Sequence, residues 1–415
     1  MTHPAAPMPG NRTPQVLRSP YTWLAVLAAV LLGAYVALLN SVRRTAREWP
    51  QPVRTATAVG DSTCISCHRD KATFEQTAHR ITMRLPTRQS ILGSFSSGSN
   101  VLHTDRPDVH FRMDADSTGF YQTLVVGKGA DSTSRTERIA YVGGSGRKGQ
   151  SFLYWSGDKL FQLPVSYYTG LNTWLGSPGR VGIDPRASFN RTVAPRCFEC
   201  HATWMESVPA LTVDNQYRPD SAILGITCER CHGAGRQHVS RERSLMRHLV
   251  RDRSIVNPAK LSRDRKMDVC AQCHGGIGDP QRASFTYVAG RRLEDYVRLV
   301  PKASDEFVDV HANQVALLSR SKCFTSSQMT CTTCHDVHRP QRDVVELSGR
   351  CLTCHQQKSC PLFATRGSAI VGRCVDCHMP LQTSKIVVSD LEGSMERVKG
   401  RNHWIRVYPD TAHGR

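Results

Sequence analysis

Seven stretches of this 415-residue chain repeat one pattern: two cysteines separated by two residues, with a histidine directly after the second. The cysteine pairs are Cys64 and Cys67, Cys197 and Cys200, Cys228 and Cys231, Cys270 and Cys273, Cys331 and Cys334, Cys351 and Cys354, and Cys374 and Cys377. The histidines that follow them are His68, His201, His232, His274, His335, His355 and His378. Two thiols at this spacing add across the vinyl groups of a porphyrin, and the adjacent imidazole turns onto the iron, so C-x-x-C-H is the attachment site of haem c. One helical turn presents both sulfurs to an edge of the macrocycle and the histidine to its face. Zinc sites also use paired C-x-x-C units. Zinc does not require a histidine after the second cysteine, and all seven pairs have one. The pattern therefore predicts seven covalently attached haem c groups, each with one of these histidines as proximal iron ligand. No catalytic residue is assigned.

The opposite face of each iron needs a second ligand, and the remaining histidines are the candidates. His79 follows His68 by eleven residues in RDKATFEQTAHRITM, a helix-like composition. That is too far along a helix to return to its own iron, so His79 is read as ligand to a neighbouring haem, ahead of Met83. His238 lies six residues after His232 and is read the same way. His311 opens DVHANQVALLSRSKC, whose pattern suggests an amphipathic helix. His338 sits three residues after His335, so the two must serve different irons, and His403 returns from the C-terminal RNHWIR. His110, with His103 behind it, is the candidate from a motif-free region, while His248 in RERSLMRHLVR reads as a solvated helix face. Cys323 and Cys360 lie outside the motifs. In an oxidising compartment they form a disulfide candidate, against the alternative of two isolated buried thiols.

The elements that must position these groups divide the chain. Residues 1–20 read as a cytoplasmic tail, 21–39 as a transmembrane anchor, 40–60 as a polar linker with Pro50 and Pro52, and 61–89 as the first haem segment. Residues 90–190 contain short alternating runs around turn signals. HFRMDA and GFYQTLVV flank DSTG, while SFLYW and KLFQLPVSYY flank SGD, giving two β-hairpins in a small β-rich insertion. Residues 191–405 hold six motifs, about thirty residues per haem, followed by a tail at 406–415. So little chain per cofactor predicts a mainly α fold whose core is packed haem, with low regular secondary structure beside the insertion.

The formal charge is +19. Fourteen propionates on seven haems would bring it to about +5 in the reduced state, which removes most of the case for a nucleic-acid partner. Many arginines are expected to pair with propionates, since a planar bidentate donor suits a carboxylate. Residues 21–39 form an uncharged run long enough to cross the hydrocarbon core. No A-x-A-like cleavage site follows it closely, which favours an uncleaved anchor over a signal peptide. Arg43, Arg44 and Arg47 after the run outnumber Arg12 and Arg18 before it, weakly favouring the opposite orientation. Covalent haem attachment requires the bulk of the chain outside, and this outweighs one arginine. The expected location is the bacterial inner membrane, single-pass, with the haem region in the periplasm.

CISCHRDKATFEQTAHRITM, GGSGRKGQSFLYW, LPVSYY, CHATW, CERCHGAGRQH, DVHANQ, MTCTTCHDVH and CVDCHMP, in that order, resemble the cytochrome c554/c-prime multihaem family over most of residues 60–405. The resemblance implies a mostly helical, haem-packed fold with bis-histidine ligation at most irons. Carried onto this chain, it implies distal ligands at His79, His238, His311, His338 and His403, and less specifically at His110. Six-coordinate haems that change little in geometry between ferrous and ferric states point to an electron carrier, and the anchored topology implies a membrane quinol-oxidising donor and a periplasmic or extracellular redox acceptor. The alternative is a multihaem oxidoreductase acting on a small nitrogen or sulfur compound at one open-coordinate haem. No C-x-x-C-K motif of the pentahaem nitrite reductase type occurs.

Overall fold

The computed structural model describes residues 20–47, 50–179, 184–208, 215–245, 247, 252–299, 308–389 and 396–409. His248 lies outside them. So do residues 1–19 and 410–415, which make up most of both tails.

A helix runs from Pro20–Arg47. Proline suits a helix start, because its φ is preset and its missing N–H would have no partner there. Within it Tyr21–Asn40 has a mean hydropathy of 2.3 and none of it is buried. It is long and apolar enough to cross a membrane.

The chain is not mainly α. The described residues contain five sheets. The largest apolar core lies between two of them, where no porphyrin is needed. Val101–His103, Val109–Ala115, Phe120–Val126 and Thr133–Arg138 form a four-stranded antiparallel meander. Met83–Arg84, Tyr141–Gly143, Gly149–Ser156, Lys159–Gln162, Val165–Tyr168 and Thr173–Gly176 form a six-stranded sheet. Both hairpins read from the sequence are present, the second turning at Gly157 with φ 62°, a left-handed conformation that favours glycine.

Alternation explains the core. In VHFRMDA, Val109, Phe111 and Met113 face inward and are buried while the residues between them face out. With Leu124, Phe152, Leu163, Val165 and Trp174 they form one cluster between the sheets. Each such side chain contributes about 1.5–3 kcal/mol on burial. Gln122 joins the sheets: its side-chain amide donates to Val165 O at 2.8 Å and accepts from Val165 N at 3.1 Å.

Helices elsewhere are short because each motif needs only one turn. Apart from Pro20–Arg47, the longest described is the twelve-residue Arg263–His274. The expected helix around His311 shrinks to Gln314–Leu318, and the segment after the first motif is the 3-10 helix Arg69–Gln76. Three small two-stranded sheets, among them Leu381–Ser389 with Glu396–Arg401, lie within the region expected to be helical.

Residues 50–60 are docked against the haem-motif region. Val59 N and Gly60 N donate to the buried Glu229 carboxylate at 3.1 and 3.2 Å, and the Arg54 guanidinium lies 3.9 Å from the Trp204 ring centre. The outer side of the six-stranded sheet packs Tyr141 and Leu160 against Phe198 and Tyr217. Phe198 lies inside the second C-x-x-C-H motif, so the β-region is continuous with the motif region.

Candidate haem centres

The motifs take helical turns, as the attachment chemistry requires. The third is the helix Cys228–His232 and the seventh Cys374–His378. The fourth ends Arg263–His274, which is capped by Ser262 accepting from Arg265 N. The first lies in Asp61–Cys67 and the second begins in Pro195–Phe198. The fifth and sixth open as the 3-10 turns Cys331–Thr333 and Arg350–Thr353.

Four motif histidines each face a histidine from another part of the chain. The ring centres of His68 and His238 are 6.4 Å apart at 17° between planes. His232 and His338 are 6.2 Å apart at 33°, and His335 and His403 are 6.3 Å apart at 30°. His79 and His274 are 6.1 Å apart and nearly perpendicular, at 86°. One metal bound by a nitrogen on each side at about 2 Å sets the ring centres about 6 Å apart. The angle between planes is free, because each imidazole can rotate about its own bond to iron. His311 lies close enough to His201 to lower its pKa, after the larger effect of burial.

The other ring nitrogen is held as well. Iron-binding imidazoles pass their remaining N–H to a carbonyl, carboxylate or water, which fixes the tautomer. His232 Nδ1 donates to Val256 O at 2.8 Å, His378 Nδ1 to Arg406 O at 2.9 Å, and His403 Nδ1 to Arg401 O at 3.2 Å. His274 Nδ1 is 3.1 Å from Gln314 Oε1, and His201 Nδ1 is 3.1 Å from Thr82 Oγ1. His238 Nδ1 meets Asp252 Oδ2 at 2.6 Å. In each of these six rings Nε2 is left to face a metal. Burial also pushes His79 and His403 down to about 4, helped by neighbouring histidines, so both stay neutral and able to ligate.

Thiols from different motifs meet. Cys64 shares a hydrogen bond with Cys228, Cys200 with Cys273, Cys270 with Cys331, and Cys351 with Cys374. The contact with Cys273 draws Cys200 down to about 7. Cysteines of different motifs are thereby brought together. Arg147, Lys148, Arg342 and Arg401 form a cationic cluster, with burial and mutual repulsion lowering Arg147 and Lys148. The field of Arg147 reaches His79 and His335. Arg84 Nε is buried without a hydrogen-bond partner. Half-buried cations of this kind suit the propionates of haem. The paired imidazoles, the paired thiols and these arginines fit the group.

Other sequence candidates are placed differently. His110 faces His103 across the meander, ring centres 6.0 Å apart, and no motif histidine among the described residues stands against it. Met83 is buried in the apolar cluster with Tyr141 and Phe198. Cys323 and Cys360 are both free thiols, the first near Cys334 and Cys351, the second near Cys377. Among the described residues no histidine ring faces His355 or His378. Sequence reasoning did not find the Nδ1 acceptors. Asp252 lies fourteen residues from His238, and no spacing rule points to it.

Residues 180–233 match the family model for cytochrome c554 and c-prime, a span that contains the second and third motifs. It supports a c-type cytochrome that binds haem c. No curated protein and no solved structure matches the chain.

Proposed function

We propose that the chain is a heptahaem cytochrome c that passes electrons between a quinol-oxidising partner in the membrane and a periplasmic or extracellular acceptor. The apolar helix at Tyr21–Asn40 anchors it to the bacterial inner membrane, with residues 50–409 in the periplasm. The observation that carries this reading is the set of four histidine pairs with ring centres 6.1 to 6.4 Å apart. His68, His201, His232, His274, His335, His355 and His378 would hold seven irons on one side. His238, His311, His338, His79 and His403 would close five of them, serving the irons of His68, His201, His232, His274 and His335 in that order. When bound, haem c supplies reversible one-electron chemistry at a potential set by axial ligands, hydrogen bonding and burial.

The rest is the work of the chain. Distal histidines come from distant segments: His79 crosses from the first motif to the fourth, and His338 from the fifth to the third. Each crossing ties two haem sites into one rigid body. The thiol contacts add a path from the first motif to the third, with the second, fourth and fifth joined and the sixth meeting the seventh. Arg147 and its neighbours would neutralise propionates, so buried carboxylates do not repel.

That no histidine among the described residues faces His355 or His378 favours a second reading, an oxidoreductase acting on a small nitrogen or sulfur compound at an open iron. Electron paramagnetic resonance of the oxidised protein separates the two. The carrier predicts low-spin signals unmoved by nitrite, hydroxylamine or nitric oxide. A high-spin ferric signal that vanishes on adding one of these supports the enzyme and contradicts the carrier.

A further inference from the structure

Six described histidines have Nδ1 in a hydrogen bond, and five of these meet neutral acceptors: the carbonyls of Val256, Arg406 and Arg401, the Gln314 amide and the Thr82 hydroxyl. His238 alone hydrogen-bonds a carboxylate, Asp252, at 2.6 Å; His338 Nδ1 lies 4.0 Å from Asp336 Oδ1, beyond hydrogen-bond reach. That carboxylate is itself built into place. Its Oδ1 accepts from Ser254 N at 2.7 Å and from Ser254 Oγ at 2.6 Å, leaving Oδ2 aimed at the imidazole. The pair is largely sheltered, Asp252 being 13% exposed and His238 24%, so water screens it weakly. Two residues beyond Ser254, Val256 O accepts from His232 Nδ1. One short segment therefore orients ligands of two haem sites but gives a full negative charge to only one.

We propose that Asp252 is a positioning and tuning residue which, through His238, makes the haem at Cys64, Cys67 and His68 the one of lowest potential among the histidine-paired haems. The proposal rests on the haem reading above. An anionic acceptor pulls the Nδ1 proton and gives the ring partial imidazolate character. A more electron-rich axial ligand favours ferric over ferrous iron, because hydrogen bonding and local charge are levers on the potential. The site follows directly on the membrane-proximal segment, and its Cys64 meets Cys228 of the third motif. An electron arriving there passes on to the neighbour instead of resting at the membrane end.

The test is a redox titration of the full-length protein in detergent, following each low-spin ferric signal by electron paramagnetic resonance, for wild type, Asp252→Asn and Asp252→Glu. In wild type the last signal to be lost on reduction belongs to this haem. Asp252→Asn raises that midpoint alone by at least about tenfold in the ferric-to-ferrous equilibrium, or 59 mV for one electron, while the haem stays low-spin. Asp252→Glu restores the low value. An unmoved midpoint, a fall, or an equal shift at every haem overturns the proposal. Near-infrared magnetic circular dichroism of the wild type is a second readout that needs no variant. One histidine–histidine charge-transfer band should lie at shorter wavelength than the rest, and coincident bands contradict the assignment. Haem content measured on the same samples keeps this apart from failure of the haem reading: a full complement with no shift sinks only the role of Asp252.

Discussion

His338 shows most clearly what single residues decide here. It follows His335 by three positions, yet its ring faces His232, 106 residues earlier in the chain. Replacing it with alanine should turn one haem high-spin, and that haem is the one attached at Cys228 and Cys231, not the one at its own motif. Resonance Raman or paramagnetic resonance reads this, and an unchanged low-spin set would refute the pairing. His110→Ala should leave the haem spectrum unchanged, because among the described residues its ring faces His103 and no motif histidine. The buried histidines also set a pH limit. His79 and His403 have folded values near 4, below the ordinary imidazole value of 6.5. The stability they contribute is present above the ordinary value and is lost as pH falls from 6.5 towards 4. Melting temperature should hold from pH 8 to 7 and decline through that window, without a matching loss at alkaline pH, and iron held at the same nitrogens would resist protonation and shift the loss of low-spin absorbance to lower pH.

At the scale of elements, the helical turns of the motifs were legible because the chemistry of thioether attachment demands them. The two hairpins were legible from alternation around turn residues. The balance of fold class was not. Counting residues per haem assumes the cofactor is the core, but Phe111, Met113, Phe152 and Trp174 build a separate one between two sheets. Nor did composition reveal that the proline-containing linker is packed down. Its contacts depend on Glu229, 2% exposed, which sits 170 residues from Val59 in sequence. Glu229→Ala would orphan Val59 N, Gly60 N and Gly235 N. Each buried donor left unpaired costs about 1–3 kcal/mol, so the variant should melt several degrees lower with loosened residues 50–60, detected by hydrogen exchange. Gly225 is similarly constrained, since at φ 71° a Cβ would lie 2.1 Å from Arg80 O. Gly225→Ala should lower the melting temperature as well.

Across the whole molecule, the motif region holds small separate apolar clusters rather than one large core, and the proposed haems would fill the space between them. The distal candidates could be narrowed from sequence because histidine is scarce and the motifs claim seven of seventeen. Which distal histidine serves which motif could not, because the crossings depend on tertiary packing. The thioether count is the premise beneath every pairing and path above. Intact-mass spectrometry of the purified protein, beside a variant in which Cys351 and Cys354 are serine, tests it most directly. The account predicts a mass exceeding that of the polypeptide by seven haems, falling by one in the variant. A polypeptide of unmodified mass, or a variant that loses none, would contradict it.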